Sequence, residues 1–281
     1  MTAAVTDIVD TDRYPLTDPG GPGWRAAVES ARAELAVDGC SVLRDFVAAE
    51  HREALRTECA GLADRAYYEE QTVNVYNTAP DADLPDWHPG KRTTVRGNAF
   101  VAREDIPAEH LIHRLYTDEL FQRFLAECLG LERIHPLEDP LAGLVVNIVN
   151  PGKEHPWHFD TNEFAVSMLT QQPQGGGVFE YCPHIRSAES ENFADVGAVI
   201  SGDSRDQVRA LPLRPGDLQL FHGRYALHRV SAVEGEVARH SAIFAYSDRP
   251  GVVGTAERTR QLFGRVTEAH GTTARTDDLL D

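Results

Sequence analysis

His155-Pro-Trp-His-Phe-Asp-Thr-Asn-Glu-Phe164 is the stretch on which the reading of this chain turns. Alternate side chains of an extended strand point to opposite faces, so His158 and Asp160 share one face while Trp157 and Phe159 share the other. One short strand thereby presents two polar groups in front and two aromatics behind. The segments downstream are also strand-like. Asn162 to Thr170 reads as a strand, Gly175-Gly-Gly177 as a turn, and Val178-Phe-Glu-Tyr181 as the start of another strand. Leu213-Arg-Pro-Gly-Asp-Leu-Gln-Leu-Phe221 is a turn entering a strand, then comes His228-Arg-Val230, and a last strand runs from Arg239 to Tyr246. Short strands separated by Gly/Pro turns predict a mainly β fold with flanking α-helices, its core a double-stranded jelly roll. Such a double sheet gathers side chains from distant strands in its mouth.

Two His and one carboxylate, with coordination positions left open, suit non-haem Fe(II) and oxygen activation. His158 and Asp160 supply two of the three ligands; His222 and His228 compete to be the other. His228 is favoured, because Val230 and Val233 come after it like a strand entering the core. Arg239 lies eleven positions further on (239 − 228), room enough for a hairpin to return it to the metal. By the same period of two, Arg239 and Ser241 share a face. A guanidinium fork beside a hydroxyl can grip a carboxylate through several hydrogen bonds, which suits a keto-acid cosubstrate bound next to a metal. The apolar neighbours Ala242, Ile243 and Phe244 argue for a partly buried arginine over a surface ion pair.

The order H-x-D, Gly-Gly with a strand, Pro-Gly-Asp, distal His and Arg-x-Ser resembles the Fe(II)/2-oxoglutarate-dependent dioxygenase superfamily. The strings His155-Pro-Trp-His-Phe-Asp-Thr-Asn-Glu-Phe164 and Leu220-Phe-His-Gly-Arg-Tyr-Ala-Leu-His-Arg-Val230 narrow this to a resemblance with the stand-alone lysine halogenases and their hydroxylase relatives, which act on free amino acids. In the halogenases of that family a glycine replaces the carboxylate ligand and opens a site for chloride. Asp160 is present here, so the resemblance implies the hydroxylase branch. It implies a cupin-like fold, Fe(II), 2-oxoglutarate as cosubstrate and O2, with the distal carboxylate of 2-oxoglutarate on Arg239 and Ser241. It also implies hydroxylation of an unactivated C–H bond of a small free amino acid, with a basic one the first to try, in specialised natural-product metabolism. The same resemblance points to three substrate-binding residues. His155 has an equivalent near the substrate, although its odd offset from His158 sends it to the opposite strand face unless the chain bends at Pro156. Arg96, in the loop-like segment from Gln71 to Glu109, is the counterpart of an arginine that reaches the substrate carboxylate. Thr161 stands where halogenase relatives can carry an acidic residue that contacts a lysine ammonium, which weakens the case for lysine. Desaturation or cyclisation on the same scaffold would need the same ligands. The rival classes are a non-catalytic cupin-like small-acid-binding protein and a zinc hydrolase using the same ligands.

Composition excludes other classes. The net charge of −17 opposes binding to nucleic acid, which wants basic surface, and to anionic membranes. Cys40, Cys59, Cys128 and Cys182 are scattered without a C-x-x-C pair, so neither a disulfide framework nor a zinc site is indicated. The N-terminus lacks the basic and apolar regions of a signal peptide, and Ala142 to Val149 is too short to span a bilayer, so a cytoplasmic enzyme is expected. Its expected partner is a small-molecule amino-acid substrate, and a homodimer is compatible with the sequence. One domain over 1–281 is expected: a helical support over about 20–135, a jelly-roll core over about 140–250 and a C-terminal helix over about 254–270. Apolar periodicity predicts support helices over Trp24–Val37, Glu50 to about Tyr68 and Asp118–Leu129, around a strand at Cys40–Val47. Gly143–Asn150 reads as a core strand, and the tail Thr276–Asp281 as frayed.

Overall fold

The computed structural model describes residues 4–78, 81, 83–270 and 279–280. Two antiparallel sheets make the core. The larger has seven strands, ordered Cys40–Leu43, Leu218–Phe221, Ala165–Gln171, Arg239–Phe244, Leu144–Val149, Asn98–Val101 and Tyr67–Tyr68. The smaller has four, ordered Arg209–Leu211, Phe179–Cys182, Leu227–Val230 and His155–His158. From Leu144 onward the chain passes repeatedly between the two sheets, as in a jelly roll, with Phe179–Cys182 and Arg209–Leu211 as a pair kept within the smaller one.

The pleat decides what each face of the larger sheet does. Val146, Ile148, Val166, Met168, Leu218, Leu220, Ala242 and Phe244 form one apolar face. Trp24, Val28 and Leu35 of helix Pro22–Asp38, Leu55 and Cys59 of helix Arg52–Ala60, and Phe121 and Phe124 of helix Glu119–Leu129 cover it. The intervening residues Val145, Asn147, Ser167, Gln219, Arg239 and Ser241 turn the other way, into a cavity between the sheets. The register keeps these polar groups together: Ser241 is opposite Asn147, Arg239 opposite Val149, and Gln219 opposite Ser167.

Local chemistry sets the helix ends. The Asp118 side chain accepts a hydrogen bond from the Phe121 amide at 2.9 Å, capping helix Glu119–Leu129. Gly39, at φ 60°, ends helix Pro22–Asp38 in the left-handed conformation that leads directly into the first strand.

Several boundaries differ from the sequence reading. The helix expected over Glu50–Tyr68 stops at Ala60, because Gly61 comes next and Tyr67–Tyr68 is recruited as an edge strand of the larger sheet. Gln71 to Glu109 is not one long loop. Gln71–Val73 pairs with Thr94–Arg96, and Asn98–Val101 enters the larger sheet beside Leu144–Val149. The N-terminal half therefore contributes three strands to that sheet and not one. Helices Leu111–Thr117 and Phe193–Ser201 were not anticipated, and the C-terminal helix spans Ala256–Phe263. Residues 276–278 and 281 of the tail lie outside the described residues. No described helix is long and apolar enough to cross a membrane, and all four cysteines are buried free thiols.

Candidate metal centre and substrate cavity

His158 ends the strand His155–His158, and Asp160 lies just beyond it. His228 sits on the neighbouring strand Leu227–Val230, directly opposite His158. The three side chains meet. His228 Nε2 is 3.5 Å and His158 Nε2 3.8 Å from Asp160 Oδ1, and one ligand atom from each lies within 4.8 Å of the others. His222 is not in this group; its backbone amide is tied to Gly39 O at 2.8 Å. Trp157 and Phe159 pack behind with Tyr76, as the alternation requires.

The hydrogen bonds settle which nitrogens face the centre. His158 Nδ1 is 2.8 Å from Pro156 O, and His228 Nδ1 is 2.9 Å from Ala226 O. A carbonyl only accepts, so each Nδ1 carries a proton and each Nε2 is the nitrogen turned toward Asp160. Burial, together with the imidazoles of His155 and His228, pushes His158 well below its ordinary range and keeps it neutral. For Asp160 burial acts upward, but the adjoining His228 and His158 outweigh it and hold the carboxyl at about 2. Neutral imidazoles and an ionised carboxylate are the states in which these groups bind a divalent cation. Anchored Nδ1 protons are the outer support that orients metal-binding histidines. The donor set therefore fits Fe(II): two nitrogens and one oxygen, converging on one side.

Gly223 is a residue the sequence reading missed. A Cβ there would stand 1.9 Å from Asp160 Oδ2, so only glycine lets the carboxylate settle against this turn. The Asp160 amide donates to Gly223 O at 3.1 Å, which fixes the approach from both sides. Its only trace in sequence is the position Phe221-His-Gly-Arg224 just upstream of His228.

His155 reaches the same cavity in spite of its odd offset. His158 pairs with His228 and His155 with Val230, so a three-residue step on one strand matches a two-residue step on the other. That is a β-bulge at Pro156-Trp157, and the extra residue restores His155 to the face of His158. Their rings stack with centroids 3.9 Å apart, and His155 Nε2 is buried without a hydrogen-bond partner.

A cavity of about 240 Å³ opens in front of the triad. Arg239 and Ser241 line it, 4 % exposed each, with Arg239 Nη1 donating to Ser241 Oγ at 3.2 Å. Burial lowers the Arg239 guanidinium to about 10, still cationic at neutral pH, and no described carboxylate forms an ion pair with it. The expected turn at Gly175–Gly177 is instead a short strand, Gly175–Gly176, paired with Val233–Glu234; Gly177, at φ 58°, follows it, and a Cβ there would be 3.2 Å from Arg239 Cδ. Thr161 also lines the cavity, and its carbonyl accepts from Arg224 Nη1 at 3.1 Å. Arg96 does not line it. Its guanidinium carbon lies 5.9 Å over the ring of Phe100, which does, and Nη2 donates to Gln71 and to Gln261 O. Burial, reinforced by the charge of Arg258, lowers Arg96 to about 9. Arg258 of helix Ala256–Phe263 lines the cavity directly and was not singled out from the sequence.

The fold is that of known oxygenases. It is similar to the α-ketoglutarate-dependent epimerase SnoN of nogalamycin biosynthesis (TM-score 0.53, 15 % identity, covering 80 % of this chain and 83 % of that one). It is also similar to a Trichoplax adhaerens prolyl hydroxylase crystallised with a hypoxia-inducible-factor peptide (TM-score 0.52, 13 % identity, covering 80 % and 90 %). A Pseudomonas putida prolyl-4-hydroxylase aligns with TM-score 0.50 at 16 % identity, covering 79 % and 99 %. No curated protein matches the chain in sequence. The sequence profile "HalD: Halogenase D" matches residues 24–260, most of the chain. This protein, with the fold of the 2-oxoglutarate-Fe(II) oxygenases, thus belongs to the halogenase D family.

Proposed function

We propose that this oxygenase is a hydroxylase of an unactivated C–H bond in a small free amino acid, with His158, Asp160 and His228 as the iron ligands and Arg239 with Ser241 as the 2-oxoglutarate clamp. The observation that carries this reading is the carboxylate of Asp160, seated beside both Nε2 atoms where the halogenases of the resemblance have glycine. It fills the position that a halide would need, so the oxidised carbon receives hydroxyl.

Bound iron, with 2-oxoglutarate and dioxygen, supplies the oxidising equivalent that replaces a C–H bond by C–OH as 2-oxoglutarate becomes succinate and carbon dioxide. The chain's own residues do the rest. His158 and His228 hold their lone pairs inward through the Pro156 and Ala226 carbonyls. Asp160 brings one negative charge to partly neutralise a divalent cation. Arg239, buried and with no carboxylate partner among the described residues, offers a planar fork that matches a carboxylate with two parallel hydrogen bonds. A hydrolase using the same ligands would have no role for such a buried cation, which favours the oxygenase reading over the zinc one. Apolar walls exclude water from the space where the substrate carbon would lie. His155, facing the cavity, and Thr161 on its rim are assigned to the substrate.

The test is oxygen-dependent succinate formation by the Fe(II)-supplied protein with a panel of free amino acids. Turnover should require Fe(II) and vanish in His158→Ala. Succinate formation that persists in that variant would refute the ligand assignment. A chlorinated product in place of a hydroxylated one would refute the role given to Asp160.

A further inference from the structure

One wall of the cavity comes from neither sheet. Gly254, Thr255, Arg258 and Leu262 line it from the segment that leads into and forms helix Ala256–Phe263. No ladder holds this segment, because the last described strand ends at Ser247. The helix rests Phe263 and Leu262 on Phe100, Leu141 and Val145. Its Gln261 carbonyl accepts from Gln71 and Arg96 at 3.1 Å each. Before and after the helix, the segment is tied to one buried carboxylate.

That carboxylate is Asp139, which precedes the strand Leu144–Val149. Its Oδ1 accepts from the amides of Leu141 and Ala142 at 2.8 and 2.7 Å. Its Oδ2 accepts from the Gly254 amide at 2.9 Å, ahead of the helix, and from His270 Nε2 at 3.1 Å, beyond its end. The direction of the last bond is fixed. His270 Nδ1 accepts from the Thr267 amide at 3.0 Å, so the ring proton sits on Nε2 and is given to Asp139. Both side chains are 0 % exposed. A Cβ on Gly254 would stand 3.0 Å from Asp139 Oδ2, so the approach is close. Neither Asp139 nor His270 lines the cavity, and both ring nitrogens of His270 are engaged. The pair therefore acts on the cavity through what it holds: Ala142 on one wall, Gly254 and Thr255 on the other.

We propose that Asp139 and His270 form a clasp that keeps helix Ala256–Phe263 closed on the cavity, and that they are positioning residues for the substrate. With the clasp made, Thr255 and Leu262 stand where they hold the substrate against the metal centre. With it broken, the helix loosens, the wall they form is lost and substrate is held less tightly. The cosubstrate, gripped by Arg239 and Ser241 on the larger sheet, is indifferent to the clasp. The proposal rests on the amino-acid hydroxylase reading above and adds to it the device that closes the site.

His270→Ala breaks the clasp, and His270→Gln tests it by rescue, since a glutamine amide can still donate to Asp139. Hydrogen exchange by mass spectrometry, on the anaerobic full chain loaded with Fe(II) and 2-oxoglutarate, reads local opening. Amides of Ala256–Phe263 should exchange about 10- to 100-fold faster in His270→Ala, the scale of a lost hydrogen bond to a charged group. Those of Leu144–Val149 should not change, and His270→Gln should return the helix to within about threefold of the native rate. The Kd for 2-oxoglutarate should move less than about threefold in both variants, which also shows that they are folded. For the free amino acid that the native protein turns over, KM should rise about threefold or more in His270→Ala, because apparent affinity falls with the closed fraction. Its kcat at saturation should stay within about twofold, and His270→Gln should restore the KM. Unchanged exchange in the helix, or faster exchange spread equally over Leu144–Val149, would overturn the clasp. Faster exchange with an unmoved KM would overturn the positioning role. Native protein that turns over no amino acid would instead bring down the reading beneath, and the positioning role with it.

Discussion

The two sheets of the barrel are built by different rules. The larger is regular across Leu144–Val149 and Arg239–Phe244, with six successive one-to-one pairs and every residue of the first strand buried. Its apolar face is sealed by helices, and its inner face contributes Arg239 and Ser241 at fixed positions of the pleat. The smaller sheet carries a bulge at Pro156-Trp157, a glycine pressed against Asp160 and two imidazoles held by neighbouring carbonyls. Regular pairing provides the support, and the departures from it, among them the register shift of Arg239–Phe244 against Ala165–Gln171 between His240 and Ser241, lie beside the reactive groups. The contrast predicts that damage to the smaller sheet removes chemistry at little cost in stability, whereas damage to the larger removes stability first.

The sharpest break is Asp160→Gly. Losing groups that merely support a metal ligand costs 10- to 100-fold, so losing the ligand itself should lower hydroxylated product by at least about 100-fold. Product mass spectrometry checks this, and full hydroxylation would show that the carboxylate is not a ligand. Arg239→Ala should raise the KM for 2-oxoglutarate by about 30-fold or more, the scale of losing one partner of a buried charge pair. Succinate kinetics at varied cosubstrate would show it, with kcat recovered at saturation. Gly223→Ala should weaken Fe(II) binding by about tenfold, since the new methyl must displace Asp160. Metal titration followed by circular dichroism distinguishes this from misfolding.

On the larger sheet the expected effect is thermodynamic. Met168→Ala empties a fully buried position under the helices and should cost about 2–5 kcal/mol in denaturant unfolding, with KM for 2-oxoglutarate unchanged. The smallest effect expected is one of pH. Burial holds His240 down to about 4, so its folded form resists protonation while the unfolded form takes a proton near 6.5. Stability from this group is full above about 6.5 and is lost as pH falls toward 4, on the order of 3 kcal/mol in all. His240→Gln should flatten the pH dependence of the denaturation midpoint across that window. An unaltered slope would assign the loss to other groups.

The strands that carry the chemistry were legible because their period of two is a local property. His158 with Asp160, and Arg239 with Ser241, can be paired on one face without knowing what lies opposite. The same holds for the helix Pro22–Asp38, whose apolar stripe and terminal Gly39 are both in the sequence. The parity of His155 was not legible, because it depends on a bulge that exists only against Leu227–Val230. Nor were the strands at Tyr67–Tyr68 and Asn98–Val101, since short edge segments are recruited by neighbours and not by their own propensity. Gly223 and Arg258 escaped for a related reason. A glycine's importance lies in what approaches it, and an arginine's in which cavity its helix happens to close.

Residue types at short, fixed spacings were thus enough to give the class of chemistry: two imidazoles, a carboxylate and a guanidinium fork on strand faces. It took the folded chain to show which histidine lies beside His158 and Asp160, which face His155 takes and that a second arginine meets the cavity. Covalent spacing governs what two neighbours on one strand share. Contacts between strands many residues apart are set by register, packing and burial, none of which any single segment encodes.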